Sequence, residues 1–514
     1  MPPNDSLVPR IVETHNQVLE NKHLTYKQNV ECLYDVWNPE TPSGRPTQEG
    51  LRATTAGLQG LIGRAIKDGK RLRALGGNWS FSRVAASDSR IINTKPLNWV
   101  FRFGAASTNL AADYQGDPDQ LLLAQCGIFI KELNLYLARY GRSLPTSGAS
   151  NGQTLAGALS TGTHGSRFDF GGIQDFVIGL HLIVGPDRHV WLERASYPVI
   201  SDVFADKLGA ELIRDDTLFN AALVSFGSFG IIHAAMIETE PLYLLEVHQA
   251  RKPLNDAFKQ ALTTLDFSVL PLPHRPERPY HFEVVANPYD LPGGVYLRTM
   301  YRRPYRDDYP RPQRDEGGLG LGDDLAGFLG TITDLAPGAV PALMNSLVGR
   351  LYGDRSGELG TLGDVFYNTS TRGKAIGSAI GIPLDQAAKA LDVAFSVHKT
   401  HGPFPVIVAL RFVRKSKALM AFTRYETTCV VDFDGVASAH AFEYYDRVWQ
   451  AFTDAGIPFT MHWGKINTYL NPARIRAVYG DDVDWWLAAR ASLLDAASRK
   501  TFTNAFLERC GLGG

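Results

Sequence analysis

The chain has 514 residues, more than one ordinary domain core uses, so a protein of two domains is expected. Its 52 basic and 53 acidic side chains leave a formal charge of -1, which provides no field to gather nucleic acid or an anionic membrane surface. The expected partner is a small molecule, and no nucleic acid.

The N-terminus, Met1-Pro2-Pro3-Asn4-Asp5, has no basic region followed by an apolar core, which predicts a cytoplasmic protein. Cys32, Cys126, Cys429 and Cys510 are scattered, without C-x-x-C or zinc-ligand spacing, and read as reduced packing residues, so no metal is expected. The N-x-S/T sequons at Asn4, Asn78 and Asn368 matter only on a secretory route. Residues 54–70 carry Leu58, Leu61, Ile62, Ala65 and Ile66 at helical spacing, with Thr54 or Thr55 as cap and Gly69 as stop. A strand follows at 71–75, broken by Gly76-Gly77, then a strand at 121–125 and a helix at 128–140. Residues 177–184 and 190–193 read as a hairpin around Gly185-Pro186-Asp187. Beyond residue 244 the character changes to strands at 281–286 and 295–301, then a Pro/Arg/Asp loop at 302–316. Residues 317–351 are rich in Gly, Leu and Ala, but Asp323, Asp324, Asp334, Pro337 and Pro341 interrupt them. They predict broken helices and no transmembrane segment.

No Rossmann G-x-G-x-x-G, Walker loop, H-E-x-x-H or G-x-S-x-G is present, so the nicotinamide, NTPase, zincin and hydrolase readings lose their anchors. Three small-residue segments stand instead: Gly76 to Ser80, Gln153 to Ser166 and Phe226 to Ile232. Each is able to bring bare backbone N–H groups against a ligand.

The runs RLRALGGNWSFS (71–82), GRSLPTSGASNGQTLAGALSTGTHGS (141–166) and FNAALVSFGSFGIIHAAMIE (219–238) resemble the FAD domain of the vanillyl-alcohol-oxidase superfamily. They look most like its aldonolactone and alditol oxidase branch. MHWGKINTYL (461–470) and the closing segment 493–507 are similar to the same branch.

The resemblance implies an α+β chain with a two-subdomain PCMH-type FAD-binding domain at 47–244 after an N-terminal extension at 1–46. An antiparallel-sheet cap follows at 245–455, with an insertion at about 302–401, and a segment at 456–514 returns to the FAD domain. The cofactor-binding positions carried over are Gly76, Gly77, Asn78, Trp79, Ser80, Gly148, Gln153, Thr154, Gly157, Ala158, Ser160, Thr161, Gly162, Thr163, His164, Gly165, Gly227, Gly230, Ile231 and Ile232.

Many relatives place at Trp79 a histidine bonded to the flavin 8α carbon. Indole forms no such bond, so noncovalent FAD is expected, with Trp79 packing as an apolar plate. Where relatives carry E-x-R on a cap strand, this chain has Ala409 and Arg411, and Asn467 replaces a frequent histidine after H-W-G-K. Half of a polar clamp is therefore absent, and the substrate is expected to be something other than a simple sugar lactone, such as a biosynthetic intermediate.

Arg411, His462 and Lys465 are the catalytic candidates, with Thr154, Ala409, Arg411 and Tyr425 toward substrate. Arg411 or Lys465 would stabilise charge at the flavin N1–C2=O end, and His462 would accept the hydroxyl proton as hydride leaves for N5. Oxygen or another acceptor would take the electrons. The alternatives are flavin-dependent desaturation or cyclisation of a natural product, and a flavin-binding protein without turnover.

Overall fold

The computed structural model describes residues 7–104, 108–312, 334–367 and 375–514. Among the described residues, twenty strands are distributed over four sheets. A hairpin of β1 (Arg10–Glu20) and β2 (Lys27–Trp37) continues into β4 (Arg90–Asn93) and β3 (Leu72–Leu75), in the order β1-β2-β4-β3. The helix α1 (Gln48–Lys67) crosses between β2 and β3. Residues 10–37 therefore share a sheet with the strand that leads into Gly76-Gly77.

The second sheet has the order β10-β9-β8-β11-β6-β5. Its strands are β5 (Val100–Arg102), β6 (Leu121–Gln125), β8 (Val177–Ile183), β9 (His189–Glu193), β10 (Glu211–Arg214) and β11 (Ile231–Glu238). Every residue of β8 is buried, which is why that run is almost continuously apolar. A short pair, β7 (Arg142–Ser143) with β12 (Glu240–Pro241), closes this half. Between β6 and β8 lie α2 (Ile130–Ala138) and α3 (Leu155–Ser160).

The largest sheet is antiparallel, with eight strands in the order β16-β13-β15-β14-β18-β19-β17-β20. They are β13 (Tyr243–Lys252), β14 (His281–Ala286), β15 (Val295–Pro304), β16 (Arg355–Gly360), β17 (Ala375–Pro383), β18 (Val406–Arg414), β19 (Thr427–Val436) and β20 (Thr460–Met461). The α+β class and the large antiparallel sheet are as expected. The C-terminal segment packs on the N-terminal half: Arg490 Nε donates to Ser228 O at 3.0 Å, and Asn504 Nδ2 donates to Val84 O at 3.0 Å.

Two elements differ from the sequence reading by three residues or more. The first helix begins six residues earlier than predicted, because Thr47 and not Thr54 or Thr55 is its cap, its side chain accepting the Gly50 N–H. Thr54 lies inside the helix and satisfies its hydroxyl on Gly50 O and Asn38 Oδ1, which removes the conflict between a helix interior and a polar side chain. The strand predicted at 295–301 runs on to Pro304, because Arg303 is held by ion pairs to Glu246 and Glu277. Of the stretch at 317–351, residues 317–333 lie outside the described residues. The rest forms a 3-10 turn (Pro337–Ala339) and a helix (Val340–Leu351). No helix among the described residues is long and apolar enough to cross a membrane.

Candidate active site

A cavity of about 410 Å³ opens between the two halves. The turn after β3, the loop and helix around Thr154, and Phe226-Gly227 form one wall. Ala375, Ile376, Arg411, Asp434, Gly435, His462, Gly464 and Lys465 form the other. The three separated glycine-bearing segments thus converge on a single space.

The wall is built for close backbone approach. A Cβ at Gly76 would stand 2.0 Å from Thr154 Oγ1, and one at Gly77 would stand 2.7 Å from Gly152 O. No side chain fits where the strand turn meets the start of α3. Gly152 in turn accommodates the indole of Trp79, which a Cβ there would meet at 2.0 Å. Arg73 is buried beneath this floor, its guanidinium donating to the carbonyls of Phe226, Gly227, Val84 and Phe502. It fixes the Phe226-Gly227 turn, where φ is 54° and 66°.

Of the residues carried over from the sequence, Gly76 to Ser80, Gly148, Gln153, Thr154, Gly157, Ser160, Thr161, Thr163, His164, Gly227, Ile232, Arg411, His462 and Lys465 line the cavity. Ala158, Gly162, Gly165, Gly230 and Ile231 do not border it. Gly165 packs against Ser147 O and Gly230 against Ile183 O, so their smallness serves backbone contact. Ala409 and Tyr425 are also absent from the lining. Ala409 instead packs with Val285, Ile407, Val340, Met344 and Val348, beneath the helix Val340–Leu351.

On the side of the large antiparallel sheet the chemistry is ionic. Arg411 Nε donates to Glu283 Oε1 at 2.8 Å, and its Nη1 stands 3.6 Å from Asp432 Oδ2. Lys465 Nζ donates to Asp432 Oδ1 and, at 3.1 Å, to Asp434 Oδ1. Arg298 completes the row on the far side of Glu283, at 3.2 Å. Cations and carboxylates therefore alternate across β15, β14, β18 and β19, and the row ends on Lys465 in the loop after β20.

Burial disfavours charge on Arg411, yet Asp432 and Glu283 outweigh it and raise its pKa. Asp432 and Asp434 do the same for Lys465. Burial works against the Asp432 carboxylate too, but Lys465 and Arg411 hold it well below the usual range. Asp434 differs: burial and the neighbouring Asp432 push its pKa up in spite of Lys465. Asp434 is enclosed by the chain but open to the cavity it lines.

Two of the three histidines that line the cavity, His164 and His462, have their charged forms disfavoured. Burial brings His164 down to about 4 and holds His462 well below its ordinary value. Their hydrogen bonds assign opposite tautomers. His462 Nδ1 accepts the Gly464 N–H at 3.0 Å, which puts its proton on Nε2. His164 Nδ1 lies 2.9 Å from Gly165 O and must carry the proton there.

Sequence reasoning passed over Asp432, Asp434, Glu283 and His23. The first two form D-x-D on β19, alternate residues on one strand face, a signal readable in VVDFDGV. His23 comes from the β1–β2 turn, lines the cavity, and stacks on Phe81 at 4.2 Å with Trp79 edge-on at 5.3 Å.

Residues 53–192 match the family model described as FAD binding domain. The L-gulono-1,4-lactone dehydrogenase of Mycobacterium tuberculosis (strain ATCC 25618 / H37Rv) is 26% identical over 447 residues, covering 85% of this chain and 88% of that protein. The chain is an FAD-dependent oxidoreductase, similar in sequence to aldonolactone oxidases and dehydrogenases. D-arabinono-1,4-lactone oxidase of Yarrowia lipolytica is 27% identical to the flavoenzyme over 205 residues, 40% of this chain and 34% of that one. The flavoenzyme's fold is that of cholesterol oxidase from B. sterolicum, with a TM-score of 0.70, 14% identity and 99% of both chains covered. The cavity suits the cofactor: its glycines leave no space for a Cβ and free their backbone for contact, and Gln153 Oε1 and both nitrogens of His23 are buried without a partner.

Proposed function

We propose that the enzyme oxidises a CH–OH donor other than a simple sugar lactone, with FAD held noncovalently by Gly76 to Ser80, Gly148, Gln153, Thr154, Thr161 and Gly227. When bound, FAD supplies a hydride acceptor at N5. The relatives named as lactone oxidases and dehydrogenases support the donor class. Ala409 is enclosed in an apolar cluster and offers no polar group to a substrate, which supports a donor different from theirs.

The observation that carries the reading is the division of roles among the cap-side groups. Arg411 and Lys465 remain charged and are held by carboxylates, so they offer fixed positive potential to an oxygen that gains electron density. His462, with its proton on Nε2, is a hydrogen-bond donor to the substrate oxygen. It cannot accept the hydroxyl proton without a tautomer that would set Nδ1–H against the Gly464 N–H. The base role first assigned to it is therefore reassigned to Asp434, the cavity-lining carboxylate whose raised pKa favours proton uptake.

Asp434→Asn tests this assignment. In anaerobic single-turnover mixing the reduction rate should fall by about 10²–10⁴-fold. The acid limb of the rate profile, which in the parent lies above the ordinary carboxylate range, should disappear. An unchanged limb would return the base role to a histidine.

A further inference from the structure

Away from the flavin cavity, on the outer part of the large sheet, three side chains converge that the reaction does not use. Glu246 and His248 are alternate residues of β13 and project from the same face. His274 reaches them from the loop before β14. Both imidazoles direct Nε2 at one carboxylate oxygen, Glu246 Oε1, at 2.9 Å from His248 and 2.8 Å from His274. The three ligand atoms all lie within 4.8 Å of one another.

The surroundings hold this arrangement. Arg303 Nε donates to the other carboxylate oxygen, Oε2, at 2.6 Å, which turns Oε1 toward the histidines. The charge of Arg303 is answered separately by Glu277, through contacts of 2.8 and 3.1 Å. Tyr301 sets its ring edge-on to both imidazoles, at 5.9 Å from His248 and 4.7 Å from His274. A cavity of about 350 Å³ is lined by His248.

The geometry points to a divalent transition-metal site, suited to Zn²⁺, formed by Glu246 Oε1, His248 Nε2 and His274 Nε2, with water as fourth ligand. Two imidazoles and one carboxylate are a zinc donor set, and Zn–N and Zn–O bonds of about 2.0–2.2 Å place ligand atoms about 3.3 Å apart in a tetrahedron. The two N–O separations already approach that value, so only the pair of nitrogens must adjust. Binding needs no redox change: each neutral imidazole places its proton on Nδ1 and gives Nε2 to the metal. Arg303 on Oε2 is the outer partner such a carboxylate requires. The other cluster of possible ligands among the described residues, Glu13, His15 and Cys32, has two exposed members and a thiol whose pKa burial raises. The ion would clip the 271–280 loop onto β13, and its role is structural.

The holoenzyme is incubated with ZnCl₂, passed through a desalting column, and analysed for metal by mass spectrometry, beside Glu246→Gln and His248→Ala/His274→Ala. The parent should retain about one zinc per chain and unfold at a temperature several degrees higher with zinc than after chelation. The variants should lose both effects while keeping a full complement of flavin. Should the double variant fail to fold, His274→Gln, on the loop alone, carries the test. Cobalt in place of zinc should give the visible bands of a tetrahedral N/O site. Substoichiometric zinc in the parent, or equal retention by parent and variants, overturns the assignment.

Discussion

Trp79 stands in the cavity wall against Gly152, with Lys22 5.4 Å above its ring and His23 at its edge. An indole at this position packs and does not bond, so acid precipitation should release yellow FAD into the supernatant. Colour retained in the pellet would mean that another side chain carries a covalent bond. His23, buried with both nitrogens unpartnered and brought down to a pKa of about 4 by burial, would be the first to examine. At the same scale, Ala409 leaves its position on β18 without a polar group. Its cross-strand neighbour is Asp432, and Arg411 pairs across to Glu283, so the carboxylates on the flanking strands are engaged with Arg411 and Lys465.

At the scale of elements, the ionic row from Arg298 to Lys465 joins four strands and one loop through groups with little access to water. Removing one member exposes its partners to the cost of unpaired buried charge. Arg411→Met should lower the unfolding free energy by about 3 kcal/mol in chemical denaturation. Adding Glu283→Gln should restore part of it, because the two residues are directly paired. Additive losses would mean that the pair carries no coupling.

The elements were legible in the sequence wherever one local signal dominated. The strands at 121–125 and 281–286 have the predicted bounds, since apolar runs between breakers leave little choice. The row of charges was not legible, because its members lie as far apart as Glu283 and Lys465 and only strand register brings them together. Nor did the sequence reveal that the histidine ahead of Gly464 points Nδ1 at that residue's N–H. That hydrogen bond belongs to a loop conformation, and it decides whether His462 donates or accepts.

Over the whole molecule, burial holds several histidines neutral: His23 and His164 at about 4, His233 and His398 at about 3. Each lies below the ordinary value of 6.5, so as pH falls the unfolded chain takes up protons before the folded one. Their stabilising contribution is complete above 6.5 and is lost progressively as pH drops toward 4. The thermal midpoint should therefore decline steeply between neutrality and about pH 5, where exposed carboxylates are still ionised. A flat profile over that range would show that these imidazoles are not buried as described.

The two halves meet at one cavity, and the account stands on what that cavity does to a substrate. Anaerobic mixing of the purified enzyme with a panel of alcohols, lactones and amines, followed in the visible flavin band, tests this most directly. A CH–OH donor should bleach the band, with its carbonyl product recovered. Bleaching by dithionite alone, with no response to any member of the panel, would contradict it.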